Sequence, residues 1–434
     1  MIEPDLPASA GIPPEAGSPA GRGAAVTTGR YIVVFAEDGY EPASVLGSAG
    51  LSNVASSRDF QDRAVDITDA SGADATVFET LGIAVVSASQ EQLSALQGTG
   101  GPHPVVLSVS PELVHHVLGP AEYVRGYRDG VADLSARLDG GAAAAAAAPA
   151  FEDSNQSTWG LQATRAVQSA VSGHGVKVAI LDTGFDAAHP DFAGRSITTQ
   201  SFVQGESAQD GHGHGTHCTG TACGPRLPST GPRYGIAYGA DIFAGKVLSN
   251  AGSGTDAAIL AGIDWAVANG CAVVSMSFGA NLAQAHPPYT AAGQRALDRG
   301  VLLIAAAGNN AQRPQGNFGF VGVPANSPYI MAVGALDQQL AVPYFSARSL
   351  PGRGGQVDVA GPGWQVYSSW PMPGRYRSIS GTSMAAPHAA GVAALWAEAT
   401  GFRGRELWSV LAQESDRLLA ASADVGSGLV IAPQ

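Results

Sequence analysis

The chain has 434 residues, 45% of them hydrophobic and 14% charged, which suits two or three domains with sizeable cores and excludes global disorder. Its 23 basic and 36 acidic residues leave a formal charge of -13, the wrong sign for a phosphate-backbone ligand, so no nucleic-acid partner is expected. No run reaches the roughly 18 apolar residues of a membrane span, and no membrane partner is expected either.

Residues 1–29, rich in Pro, Gly, Ala and Ser, read as a disordered tail. They carry neither the basic nor the apolar region of a secretory signal. Residues 30–118 form a compact stretch, with strand-like runs at 31–35, 83–87 and 105–109 and a helix over 91–96. Strands mixed with helices at that length predict a small α+β domain. Residues 119–157 connect it to the C-terminal part of the chain. There Val124, Tyr127, Val131, Leu134 and Leu138 step by three and four, predicting a short docked helix, and an Ala-rich linker follows at 142–149.

From 158 to 434 apolar strand-like runs (176–181, 272–276, 301–306) alternate with helix-like ones (256–267, 291–297). Short, wholly apolar strands between helices predict a doubly wound, mostly parallel α/β sheet covered on both faces. In such sheets functional residues gather at the carboxyl ends of strands. Cys218, Cys223 and Cys271 cannot close a disulfide framework and include no CxxC pair for zinc, so they read as buried free thiols.

Three segments carry chemistry. In Val178-Ala-Ile-Leu-Asp182-Thr-Gly184 an apolar strand ends in an acid, and a glycine then allows a sharp turn; alone, such an Asp more often caps a turn. Asp210-Gly-His212-Gly-His214-Gly-Thr-His217-Cys218 places three histidines among glycines, a pattern that could also bind metal. It lacks the His/Glu spacing of a zinc helix. In Ser380-Gly-Thr-Ser383-Met-Ala-Ala-Pro387-His388 a serine opens a small-residue helix, where free N–H groups and the helix dipole favour an oxyanion. A helix-opening serine is by itself usually a cap. Together the three segments supply a nucleophile, a base and a carboxylate that orients the base.

These segments resemble the signatures of the subtilisin-like serine proteases, in the order Asp, His, Ser, and Cys218 after His-Gly-Thr-His is most similar to the proteinase K branch. The resemblance spans residues 159–431. It implies a serine endopeptidase acting on proteins or peptides, with Ser383 as nucleophile, His214 as general base and Asp182 orienting it. It further implies Asn309, after Ala305-Ala-Ala-Gly308, as oxyanion donor beside the Ser383 N–H. Gly252, Ser253 and Gly254, with Ser277, Phe278 and Gly279, match the two edges between which a substrate adds as a strand. Gly308 lines the pocket for the residue before the cut. His189, His217 and His388 are expected to pack, and His103, His115, His116, His174 and His286 to be solvated; His212 stands where related sequences often have Asn.

Residues 30–118 resemble the family's ferredoxin-like inhibitory propeptide, which implies an intramolecular inhibitor, a self-processed zymogen and cleavage between residues 116 and 157. No cofactor is expected for the chemistry. Asp358, with the carbonyls of Pro328 and Ile330, matches a family calcium position, and oxygen ligands suit that hard cation. A monomer is expected. A propeptide favours export, whereas the missing signal leaves retention or an unconventional route open. The competing readings are a non-catalytic or propeptide-locked peptide-binding module, and a metal-dependent hydrolase built on His212, His214 and His217.

Overall fold

The computed structural model describes residues 25–37, 41–57, 72–98, 104–118 and 150–434. The expected helix at 124–138, the Ala-rich linker at 142–149, His103 and most of the N-terminal tail lie outside the described residues.

The front unit runs β1 (Thr27–Phe35), α1 (Pro42–Ser48), β2 (Val54–Ser56), β3 (Ala75–Phe78), β4 (Ile83–Val86), α2 (Gln90–Gln97) and β5 (Val106–Val117). Its sheet takes the order β5-β1-β4-β3-β2, antiparallel except between β2 and β3. The two faces follow from strand alternation. Val33, Phe35, Val77 and Val86 pack with Leu46, Leu51, Leu93 and Leu96 of the helical side. Ile32, Val34, Phe78, Ile83 and Val85 instead join a core that continues into the second unit. Ser89 opens α2 as its N-cap: its hydroxyl accepts from Gln92 N, and the Gln92 side chain returns a bond to Ser89 N.

The second unit continues α3 (Trp159–Ala163), β6 (Lys177–Asp182), β7 (Ile197–Ser201), α4 (His214–Cys223), β8 (Asp241–Lys246), β9 (Ser253–Thr255) and α5 (Asp256–Ala268). Then come β10 (Val273–Met276), β11 (Phe278–Gly279), α6 (Pro287–Asp298), β12 (Leu302–Ala306), β13 (Met331–Leu336) and β14 (Val359–Pro362). The hairpin β15 (Val366–Trp370) and β16 (Arg375–Ile379) precedes α7 (Thr382–Thr400), α8 (Gly404–Gln413) and α9 (Ser422–Val425). Its central sheet, β14-β13-β12-β10-β6-β8-β7, is parallel throughout. The expected α/β architecture is therefore present. The helix α7 crosses the core because it is built from small residues: a Cβ on Gly391 would lie 2.5 Å from the Ile236 side chain.

Two differences from the sequence reading concern the front unit. Its first strand opens at Thr27, within the stretch read as a tail. The strand expected at 105–109 extends to Val117, because its far half pairs antiparallel with β9 and β11 of the second unit. The front sheet thus lies on α5 and α6 through its apolar face. Each such side chain contributes roughly 1.5–3 kcal/mol on burial, against ~0–1 kcal/mol for a rim ion pair, so apolar contact dominates the junction. Arg295 of α6 adds polar register: its guanidinium donates to the carbonyls of Phe35, Leu81 and Gly82 and pairs with Glu37 at 3.0 Å.

Candidate active site

Strand β6 delivers Asp182 to its carboxyl end, 1% exposed. Gly184 then turns with φ 109, and a Cβ there would meet the Ala208 carbonyl at 2.5 Å. Helix α4 starts directly opposite, and Gly215 lets it approach: a Cβ would lie 2.2 Å from the Gly184 carbonyl oxygen. The result is a 2.8 Å contact between His214 Nδ1 and Asp182 Oδ1. Burial alone would push the His214 imidazole down, but the Asp182 charge and hydrogen bond hold it well above its ordinary range.

Asp210, which the sequence reading gave no role, fixes the start of α4. Its Oδ1 accepts from His212 N, Gly213 N and Thr183 Oγ1, and its Oδ2 from Thr216 N and Oγ1. Thr183 Oγ1 in turn accepts from Gly215 N at 2.9 Å. One buried carboxylate therefore ties the end of β6 to the first turn of α4. The only sequence signal was an acid four residues before His214.

Ser383 sits in the first turn of α7, buried, with its Oγ donating to the Ser277 carbonyl at 3.0 Å. His214 Nε2 is buried and has no hydrogen-bond partner. The Ser383 hydroxyl is therefore held by the Ser277 carbonyl, while His214 Nε2 keeps its hydrogen-bonding capacity unused. The Ser383 carbonyl accepts from Ser277 Oγ at 2.8 Å and from the Cys218 thiol at 3.5 Å.

Asn309 follows β12. Its Oδ1 accepts from Thr382 N and Thr382 Oγ1, both at 2.9 Å, which turns its amide nitrogen into the cleft. There Nδ2 donates to the carbonyl oxygen of Leu118 at 3.1 Å. Thr382 Oγ1 also accepts from Gly308 N at 3.1 Å, so this residue, not singled out from sequence, orients two of the predicted site residues.

The predicted edge residues flank β5 on both sides. His115 pairs with Gly254 and His116 with Ser253 on one side; His116 pairs with Gly279 and Val117 with Phe278 on the other. Val117 N donates to the Gly252 carbonyl at 2.8 Å. A Cβ on Gly254 would meet the Val247 carbonyl at 2.2 Å, which requires glycine in that edge.

Of the remaining histidines, three pack as expected. His217 Nε2 faces the carbonyls of Val366 and Arg377, and burial pushes its pKa down to about 3. His388 Nδ1 lies 2.8 Å from the Met384 carbonyl, with burial lowering its pKa to about 4. His189 Nε2 lies 2.8 Å from the Arg375 carbonyl. His116 and His174 are exposed. His115 and His286 are corrections: both are buried, at 0% and 6% exposure, because both bond the carboxylate of Asp256. All three thiols are free and buried.

Among the described residues, His212, His214 and His217 do not converge as a metal-ligand group. The group that does is Asp182, His214 and Cys218, whose ligand atoms lie within 4.8 Å of one another. That buried set could coordinate a metal ion, which would compete with Asp182 for His214 Nδ1. Asp358, Pro328 and Ile330 lie apart from this cleft, beside β13. Asp358 is half-buried, and its Oδ2 accepts from Ala332 N at 2.7 Å. No helix among the described residues is long and apolar enough to cross a membrane.

The chain is 39% identical over 240 residues to subtilisin DY of Bacillus licheniformis, covering 54% of this chain and 81% of that protein. It is 41% identical over 241 residues to subtilisin Savinase of Lederbergia lenta, covering 55% and 82%. It is 40% identical over 250 residues to thermitase of Thermoactinomyces vulgaris, covering 57% and 84%. Residues 173–427 match the Subtilase family, and with the Asp182–His214 pair in place the chain belongs to that family of serine endopeptidases.

Proposed function

We propose that the chain is made as a zymogen whose front unit, residues 30–118, is its own inhibitor, and that Ser383 cuts the Leu118–Gly119 bond before acting on other proteins. The observation that carries this reading is the Asn309 Nδ2 bond to the Leu118 carbonyl, with β5 held between β9 and β11. A carbonyl that receives the oxyanion donor is in the position of one under attack or just released. The front unit's mixed sheet and two helices, and Cys218 beneath His214, support a ferredoxin-like propeptide and a place near the proteinase K branch.

The chemistry follows from the contacts. Ser383 Oγ turns from the Ser277 carbonyl to His214 Nε2 and attacks the carbonyl carbon, while its proton passes to Nε2. Asp182 accepts from Nδ1–H, which keeps the lone pair on Nε2 and stabilises the imidazolium that forms. Asn309 Nδ2 and the Ser383 N–H receive the developing oxyanion. The C–N bond breaks as His214 returns the proton to the leaving amine, giving an ester on Ser383. Water then attacks that ester, with His214 taking its proton; the C–O bond to Ser383 breaks as His214 returns that proton to Oγ, and the new carboxylic acid leaves. Protein substrates would add along Gly252–Ser253–Gly254 and Ser277–Phe278–Gly279 in place of β5, with main-chain bonds supplying affinity.

Calcium fits Asp358 chemically. Burial pushes this carboxyl up to about 7, the Ala332 N–H donates to it, and no ion pair reaches it among the described residues. A divalent cation held with the carbonyls of Pro328 and Ile330 would supply the missing counter-charge and brace the loop before β13. It takes no part in the bond cleavage.

Intact mass and N-terminal sequencing of purified wild type against Ser383→Ala test the reading. Wild type should lose the front unit through cleavage after Leu118, while the variant stays whole. Identical masses would contradict it.

A further inference from the structure

The segment that fills the cleft also shows what the cleft prefers. Counting back from Leu118, Val117 is the second residue before the bond, His116 the third and His115 the fourth. Strand alternation sends His116 to solvent and turns His115 and Val117 inward. His115 is fully buried. Its Nε2 lies 2.7 Å from Asp256 Oδ1 and 3.2 Å from the Tyr289 hydroxyl. Its ring stands edge-on to Phe278 and Tyr289, with centroids 6.2 and 5.5 Å away.

The floor of this pocket is a carboxylate with no solvent exposure. Asp256 Oδ1 also accepts from the Tyr289 hydroxyl at 2.7 Å. Its Oδ2 accepts from Leu113 N at 2.7 Å and faces His286 Nε2 at 3.2 Å. Burial opposes its ionisation, yet the bonds to His115 and His286 hold its pKa well below the usual carboxylate range. Two of these four partners, His115 and the Leu113 N–H, belong to β5 and leave with it. Tyr289 and His286 stay with the enzyme. An aliphatic side chain entering afterwards would cover a buried anion with no donor in place of His115. Leaving a buried charge short of a partner is far more costly than losing an exposed one.

The geometry points to Asp256 as a specificity-determining residue that selects, four residues before the cleaved bond, a histidine or similar hydrogen-bond-donating side chain over an aliphatic one. Phe278 and Tyr289 supply flat walls for the ring, and the carboxylate supplies the directional contact. The inference rests on the proposed function, in which residues 114–118 lie in the cleft as a substrate would.

The test uses the wild-type protein after it has processed itself, with acetyl-His-His-Val-Leu-p-nitroanilide and acetyl-Leu-His-Val-Leu-p-nitroanilide as substrates and casein hydrolysis run in parallel. The expected kcat/KM for the first peptide is about 10- to 100-fold above the second, the range of a charge-assisted hydrogen bond. In Asp256→Asn the ratio between the two peptides should fall to about threefold or less. Because the wild-type ratio needs no variant, a misfolded Asp256→Asn would not remove the test. Casein hydrolysis with the leucine peptide cut as fast, or with neither peptide cut, overturns the inference and leaves the protease standing. A preference unchanged in folded Asp256→Asn overturns the role of that residue. A wild type that cleaves neither casein nor peptide overturns the proposed function, and this inference with it.

Discussion

The side-chain amide of Asn309 donates to the carbonyl oxygen of Leu118 across 191 residues of sequence. That bond joins the end of the front unit to the chemistry of the second. Removing an oxyanion donor in subtilisin costs roughly 10²–10³ in kcat; with Asn309 in the donor role proposed above, Asn309→Ala should lower kcat on a peptide substrate to that extent. Thr382→Val should cost less, about tenfold, because it removes one of the two bonds that aim the amide. Steady-state kinetics on both variants check this, with KM expected to move little.

The pH dependence follows from His214. As the general base proposed above, His214 must be neutral to take the serine proton, and the Asp182 charge raises its pKa above the ordinary 6.5. Activity is therefore lost as pH falls through a value above 6.5, and kcat/KM should have its acid limb on the alkaline side of a free imidazole. Asp182→Asn should move that limb down while cutting kcat sharply. A full pH profile of kcat/KM for both proteins reads the shift.

Gly215 permits the approach of α4 to β6. In Gly215→Ala the new methyl would meet the Gly184 carbonyl oxygen at 2.2 Å, so the helix must retreat. Overpacking of this kind costs about 1–3 kcal/mol, and it moves His214 away from Asp182. Thermal unfolding and peptide hydrolysis should both register the change, with activity falling more steeply than stability.

Asp358 gives stability an unusual pH trend. Its carboxyl keeps a proton to about pH 7 in the folded protein and releases it near 3.8 in the unfolded chain. The folded state therefore binds more protons between those values, and stability on this account falls as pH rises from 3.8 to 7. Calcium would replace the lost proton, so it should raise Tm at pH 8 and change it little at pH 5. Asp358→Asn should abolish the calcium response. An unchanged Tm on chelation at pH 8 would remove the case for the ion.

Arg295 locks the front unit in register through the carbonyls of Phe35, Leu81 and Gly82. In Arg295→Ala the interval between self-cleavage and full casein hydrolysis should shorten about tenfold, since hydrogen bonds to a charged group are worth about 1.5–3 kcal/mol. A time course of processing alongside activity measures it.

What could be read in advance was local. The strand 178–181 ends in Asp182 because four apolar residues meet a glycine turn, and the histidine and serine segments announce themselves by residue identity. The far half of β5 could not be read that way. Pro111, Glu112, His115 and His116 give it no strand pattern, and it is extended because β9 and β11 pair with it from more than 130 residues away. The burial of His115 and His286 likewise depends on Asp256, a partner that neither local sequence reveals. Asp210 and Thr382 acquire their roles only when β6, α4 and α7 come together.

On the proposed function, Ser383 is an activated nucleophile in a cleft first occupied by the chain's own residues up to Leu118. Labelling with a fluorophosphonate probe, wild type against Ser383→Ala, tests it most directly when followed through processing. No label is expected while the front unit is in place, strong label once it has gone, and none at any stage in the variant. Label that persists in Ser383→Ala, or processed wild type that takes none, would contradict it.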